Sequence, residues 1–292
     1  MPGQLKEVRN RIKSVQNTQQ ITKAMKMVSA AKLRRATDRI VQMRPYANKL
    51  NEIMSNIAAG SGGSMAYAKE REVKKVLIVV VTSDRGLAGA FNSNIIKLAK
   101  QRIAEKFSAQ AKAGKLTILP VGKKAFDSFR RLSYPVNTEY AQLFQTLNFE
   151  HSSKAAEWML EQYAKEEYDV IEVVYSQFKN AATQIFKVER FLPFLKTASA
   201  KGAATNNFIF EPEEEELVKA LVPKILKTQF FKVLLDSNAS EHGARMTAMG
   251  KATENADELI KELSIKYNRA RQAAITTELT EIVSGAAALK GQ

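Results

Sequence analysis

Glu211-Pro212-Glu213-Glu214-Glu215-Glu216 opens a stretch that runs to Leu289 and decides the fold. Proline suits the first position of a helix, and the carboxylates sit at the positive end of its macrodipole. Further on, Leu235, Ala239, His242, Met246, Met249, Thr253, Ala256, Ile260, Leu263, Tyr267, Ala270, Ala274 and Thr277 recur at spacings that alternate four and three. That is the heptad seam of a coiled coil. No proline follows Pro223, so the stretch predicts a helix on the order of 100 Å long at about 1.5 Å per residue. A helix of that length outruns a globular domain. Its apolar stripe must be covered by the rest of the chain or by another protein.

The other end of the chain supplies a partner. No proline lies between Pro2 and Pro45 and no glycine between Gly3 and Gly60. Leu5, Val8, Ile12 and Val15 form one heptad run; Leu33, Ala36, Ile40, Met43, Ala47, Leu50, Met54 and Ile57 form a longer one. Between them Gln16-Asn17-Thr18-Gln19-Gln20 turns polar, and Ile21, Met25 and Val28 continue in a shifted frame, as a register change would produce. The polar break reads either as a solvated face or as a docking point for another protein. Gly60-Ser61-Gly62-Gly63-Ser64 ends the helix. The two terminal helices are expected to pair antiparallel, with both termini toward one tip. The C-terminal helix should overhang its partner there by about ten residues or more, some 15 Å at the helical rise.

The 292 residues include no cysteine, which excludes disulfides and thiolate metal sites and fits a reducing compartment. No run of eighteen apolar residues is present, and Met-Pro-Gly-Gln leads straight into helical pattern without an apolar signal core. The net charge of +15 suits nucleic acid, an anionic membrane surface or an acidic protein partner. It is unevenly placed: residues 1–60 carry twelve Lys and Arg against three acids, residues 211–292 eleven against thirteen. The basic N-terminal helix is the electrostatic feature to explain.

The middle reads as α/β. Lys74 to Val81 is a continuous apolar strand of the buried, parallel-sheet kind, followed by a turn, Thr82-Ser83-Asp84-Arg85-Gly86-Leu87-Ala88-Gly89, and an amphipathic helix from Phe91 to about Lys106. Strands are expected over 115–121 and 169–175, helices over 123–132 and 151–166, and an antiparallel edge strand over 183–192. Residues 198–204 read as a loop. The fold class is thus α/β with a long antiparallel coiled coil and a Rossmann-like α/β/α middle. The division is 1–59, an N-terminal shaft helix; 60–210, the α/β domain; and 211–292, a C-terminal shaft helix.

Chemistry is expected nowhere in this chain. The turn after the first strand is where an α/β protein binds phosphate, but it matches neither the dinucleotide fingerprint nor the phosphate loop. Its two glycines read as a tight turn with close helix packing. His151 and His242 fall in different elements and suggest neither a metal site nor a triad; His242 sits on the seam. Glu213 to Glu216 fan around a helix and do not converge. No catalytic residue, cofactor or metal is expected. Two readings remain: a basic coiled-coil adaptor or nucleic-acid-binding scaffold, or a shaft inside a protein assembly. The final stretch, Gln272 to Leu289, is small, apolar and nearly uncharged. A solvated terminus would be charged and frayed; this one suits a snug apolar sleeve.

Three blocks carry a resemblance to a known family. They are Ile12 to Val28 continuing through Ala31-Lys32-Leu33-Arg34-Arg35-Ala36; Ser83-Asp84-Arg85-Gly86-Leu87-Ala88-Gly89; and Ser240-Glu241-His242-Gly243-Ala244-Arg245-Met246-Thr247-Ala248-Met249 with Tyr267 to Thr276 and Glu281 to Ala286. Across its whole length the chain resembles the gamma subunits of bacterial rotary (F-type) ATP synthases. The first and last blocks are highly specific. Chloroplast members carry a cysteine-containing regulatory insert that this chain lacks, which points to a bacterial protein without thiol regulation.

The resemblance implies a rotor shaft inside a hexamer of alpha and beta subunits that holds the nucleotide chemistry. The middle lobe would attach to the epsilon subunit and the c-subunit ring, on the cytoplasmic face of the bacterial membrane, with no nucleic acid bound. An acidic loop of the beta subunits would complement the basic N-terminal helix. Arg271 and Gln272 match positions that hydrogen-bond a beta-subunit loop; Thr276, Glu278 and Glu281 lie in the same contact segment. Met25 matches a position where the shaft passes the acidic loops, and ordinary seam packing is the competing reading for it.

Overall fold

The structure, a computed structural model, describes residues 2–60, 67, 70–132, 134–194 and 214–290. The glycine-serine stretch after Gly60, the 198–204 loop and the Glu211-Pro212-Glu213 helix start lie outside the described residues. In chain order the elements are α1 (Pro2–Gly60), β1 (Val76–Val81), α2 (Phe91–Lys106), α3 (Ser108–Lys112), β2 (Leu116–Val121), α4 (Lys123–Phe129), α5 (Phe149–Ala164), β3 (Val170–Phe178), β4 (Gln184–Leu192) and α6 (Glu214–Lys290), with a single 3-10 turn at Leu143–Thr146. They form two compact units. One comprises Met1–Ser29 with Met246–Gln292, the other Ala30–Arg245.

In the larger unit the four strands stand in the order β2-β1-β3-β4. β1 pairs parallel with β2 and β3, and β4 closes one edge antiparallel to β3. All six residues of β1 are buried, as an apolar run between two covered faces must be. Alternate residues face opposite ways. Leu77, Val79 and Val81 meet Met159, Leu160 and Tyr163 of α5 and Ile225, Phe230 and Leu234 of α6. Val76, Ile78 and Val80 meet Phe91, Ile95 and Ile103 of α2 and Ala125 and Phe129 of α4. The expected strands and helices stand within a few residues of their predicted ends. α4 is the shortened one, and α3 and the 3-10 turn were not foreseen.

One glycine in this unit is obligatory, and a second allows a close approach. Gly122 has φ +104, and a Cβ there would sit 2.2 Å from the carbonyl oxygen of Thr82. Gly243 lets α6 approach the β3–β4 connection, where a Cβ would lie 3.1 Å from the Ala181 carbonyl oxygen. Close by, Ser176 and Ser240 share a buried hydrogen bond of 2.6 Å between β3 and α6.

In the smaller unit α1 and α6 run antiparallel. Gln19 donates to Asp257, Thr22 Oγ1 lies 2.9 Å from Thr253 Oγ1, and Lys26 lies along Gly250. As one number rises the other falls. The α6 seam is where the heptads put it: Met249, Ala256 and Leu263 are buried, and Met246, Thr253, Ile260, Tyr267, Ala270, Ala274 and Thr277 are half-buried.

The shifted frame in α1 is corrected. Ile21 and Val28 are 60 % and 57 % exposed, and Gln19, Thr22, Met25 and Ser29 face inward instead. The heptad frame continues from Val15 through Gln19, Thr22 and Ser29 to Leu33, with Met25 one residue off it. The seam simply turns polar, because Asp257 and Thr253 stand across it and a buried polar group needs a partner. Of the polar break, Gln16, Asn17, Thr18 and Gln20 are exposed while Gln19 is a seam residue.

Candidate protein-contact surface

Carrying the α1–α6 register outward at equal rise sets Pro2 level with Ala274. From Ile275 to Lys290, roughly sixteen residues or about 24 Å of α6 have no α1 residue opposite them. The consequence is visible in exposure: Ile275 49 %, Leu279 57 %, Ile282 67 % and Val283 66 %. These large apolar side chains lie on adjoining stripes of one helix. The threonine hydroxyls among them are turned back onto the helix. Thr276 Oγ1 donates to the Gln272 carbonyl at 3.0 Å, Thr277 to Ala273 at 2.9 Å and Thr280 to Thr276 at 2.8 Å. A threonine whose hydroxyl is bound to its own helix presents its methyl outward. The overhang is therefore smoother and more apolar than its composition suggests.

Arg271, Gln272, Thr276, Glu278 and Glu281 are all exposed on α6. Arg271 and Gln272 stand at the last level that α1 reaches; Thr276, Glu278 and Glu281 lie on the overhang. Arg271, Ile275, Glu278 and Ile282 share one stripe, and Gln272, Thr276, Leu279 and Val283 the next. Met25 is not with them. It is half-buried at the level of Gly250, roughly 30 Å back along α6 at the helical rise. The structure thus brings five of the six residues together and leaves Met25 in the polar part of the seam.

Sequence reasoning missed an anchor in the larger unit. Arg245, 10 % exposed, donates from Nη1 to Glu241 at 2.6 Å and from Nη2 to the carbonyls of Arg85 and Gly86 at 3.2 and 3.3 Å. It therefore clamps α6 to the turn after β1. That turn is braced from below. Ser83 N–H donates to Asn92 Oδ1 at 3.0 Å, and Asp84 accepts from Lys123 N–H at 3.0 Å. Leu87, at its tip, takes φ +62 and stays 63 % exposed. Burial pushes the Glu241 carboxyl up while Arg245 pulls it back down. Burial, then Arg245 and Lys32, hold the His242 imidazole down at about 4, so the ring is neutral near pH 7. Part of the signal was present in the sequence: two of the motif blocks, 83–89 and 240–249, carry no chemistry, and in the fold they meet through Arg245.

Among the described residues no group of His, Asp and Glu is placed to hold a metal ion, and no helix is long and apolar enough to cross a membrane.

A family-wide sequence profile described as ATP synthase matches residues 4–289. The ATP synthase gamma chain of Cytophaga hutchinsonii is 58 % identical over 294 residues, covering 99 % of this chain and 99 % of its own. That of Flavobacterium psychrophilum is 51 % identical over 290 residues, covering 98 % and 99 %. Among solved structures, a chain of the Tetrahymena thermophila mitochondrial ATP synthase central stalk and c-ring matches with TM-score 0.57 at 28 % identity, over 80 % of this chain and 99 % of that one. A chain of the Euglena gracilis mitochondrial enzyme shares the fold, with TM-score 0.68 at 21 % identity, over 99 % and 95 %. Full-length identity of this degree, a paired seam and an apolar helix end left without a partner leave the adaptor reading behind: the chain belongs to the gamma-subunit family of F-type ATP synthases.

Proposed function

We propose that this chain is the rotor shaft of a bacterial F-type ATP synthase. It is not catalytic by itself, and it carries rotation between an ion-driven membrane ring and the nucleotide sites of an alpha/beta hexamer. The overhang of α6 carries this reading: exposed aliphatic side chains with hydroxyls turned inward suit a sleeve in which the helix turns. Residues 1–59 and 211–292 act as the shaft. Residues 60–210 act as the lobe that attaches to the c-subunit ring and the epsilon subunit, on the cytoplasmic face of the membrane.

Arg271 and Gln272, at the last paired level, grip a beta-subunit loop, with Thr276, Glu278 and Glu281 along the same contact and Met25 facing the acidic loops lower down. The basic N-terminal helix steers toward those acidic loops. The protein binds the membrane only through the ring and does not bind nucleic acid. A pull-down of the tagged full-length chain from solubilised membranes tests this. Alpha and beta subunits are expected in the eluate with ATPase activity, while the chain purified alone hydrolyses no ATP. Recovery of nucleic acid without alpha and beta, or turnover that survives repurification of the lone chain, overturns it.

A further inference from the structure

We infer that a cleft in the larger unit, walled by α1, the 144–148 segment and α6, binds a compact multivalent phosphate. The cleft holds about 430 Å³. Lys32, Arg35 and Arg39 line it from α1. Their spacing of three and four puts them on one stripe of the helix, over roughly 10 Å. None of the three has an ion-pair partner among the described residues, and Glu241, the buried carboxylate whose field Lys32 feels, is paired with Arg245. Three cations of one sign on neighbouring turns repel each other. A ligand of high negative charge relieves that repulsion, and guanidinium forks match phosphate oxygens in pairs.

The other two walls add neutral donors. Asn238 and His242, one turn apart on α6, line the cleft. Nδ1 of His242 lies 3.4 Å from Nη1 of Arg245. A neutral imidazole that accepts there keeps its proton on Nε2, which makes it a donor. Asn148 lines the opposite wall and caps α5, its Oδ1 accepting the His151 N–H at 2.8 Å. The positive end of the α5 macrodipole therefore adds to the same field. The cleft suits linked phosphates better than an acidic peptide, because its volume is small and its cations span about 10 Å only. The phosphate tail of a nucleotide and a free polyphosphate share this chemistry.

Isothermal titration of the full-length chain with tripolyphosphate tests the site. At about 0.1 M salt, diffuse attraction is screened beyond about 10 Å. Saturable 1:1 binding is expected, weakened about tenfold or more in Arg35→Gln/Arg39→Gln. Arg34→Gln removes a charge from the next position, whose side chain does not line the cleft, and is expected to weaken binding far less than the double variant because it gives up no direct phosphate contact. Both arginine-to-glutamine variants are compared only where their circular dichroism matches the parent. Nuclear magnetic resonance gives an independent readout: with His151→Gln to leave one histidine, the His242 titration should move upward when tripolyphosphate is added. ATP without magnesium is the second arm. Tighter binding of ATP than of tripolyphosphate identifies a nucleotide tail as the ligand, and equal binding identifies a free polyphosphate; both sustain the site. Absence of binding, equal loss in Arg34→Gln and in the double variant, or tighter binding of an oligoglutamate peptide with the same arginine dependence each overturns it, the last in favour of an acidic protein partner.

Discussion

Glu172 stands within β3 with its side chain 1 % exposed. It accepts from Arg102 Nε at 2.7 Å and Nη2 at 2.8 Å, with Lys106 at 3.5 Å. The hydrogen bond to Glu172 raises the Arg102 guanidinium further above its ordinary value. The pair ties α2 to the sheet. Glu172→Gln keeps the shape but removes the charge, and is expected to cost about 1–3 kcal/mol. That is the low end for a broken buried pair, because Arg102 stays 31 % exposed and solvent takes up part of the loss. Urea denaturation of parent and variant measures it, and a change below about 0.5 kcal/mol would mean the pair is already solvated.

His242 gives a pH dependence. Its folded value of about 4 lies below the ordinary 6.5, so the unfolded chain takes up the proton first. Stability from this residue is present above pH 6.5 and is lost as pH falls toward 4. Asp236 works the other way. Burial raises it from 3.8 to about 6, against the pull of Lys232 and Arg44, so its contribution declines as pH rises through that window. His242→Gln should therefore flatten the acid side of a melting-temperature profile, and an unchanged slope between pH 6.5 and 4 would place the imidazole in water. Neither group's environment was legible in the sequence. The groups that set it for His242 include Lys32, and for Asp236 they include Arg44, each from the far end of the chain.

At the scale of elements, the helices and strands were legible because their signals are periodic and local. β1 is an unbroken apolar run and is buried on both faces; α6 shows the heptad spacing and buries that stripe. The polar part of the α1 seam was misread for an equally clear reason. Apolar residues were sought at a place where the facing helix offers Thr253 and Asp257. The Thr22–Thr253 contact at 2.9 Å allows a clean test. Thr22→Val or Thr253→Val alone leaves one hydroxyl facing a methyl and should cost about 1 kcal/mol. The double variant restores a matched apolar pair and should return to within about 0.5 kcal/mol of the parent, or exceed it. Thermal unfolding of the four proteins closes the cycle. Additive losses would show that the two hydroxyls do not interact.

At the scale of the whole molecule, the proposed shaft gives two neighbouring segments near the C-terminal end of α6 different duties. Beyond Glu281 the overhang has no α1 partner and presents Ile282 and Val283, 67 % and 66 % exposed. It suits a bearing, since strong directional contacts there would resist turning. Arg271 and Gln272, at the last paired level, are placed to act as the lever. Removing residues 283–292 is expected to weaken assembly and slow turnover modestly while rotation and coupling persist, whereas cutting back through Arg271 should cost much more torque. Single-molecule rotation of otherwise identical complexes measures both, and arrest by the short deletion would make the tip itself the force-bearing part. From its sequence alone this protein's long helices, the α6 seam, the alternation of strands and helices in its middle and its family could be determined, because periodicity, apolar run length and motif identity are properties of neighbouring residues. Only the tertiary structure decided that Gln19 and Thr22 fill the seam, that Arg245 clamps the turn at Arg85 and Gly86, and that Glu172 is buried against Arg102. A polar side chain is stable inside a protein only with its partner, and these partners lie 70 to 238 residues away, where no local pattern reaches.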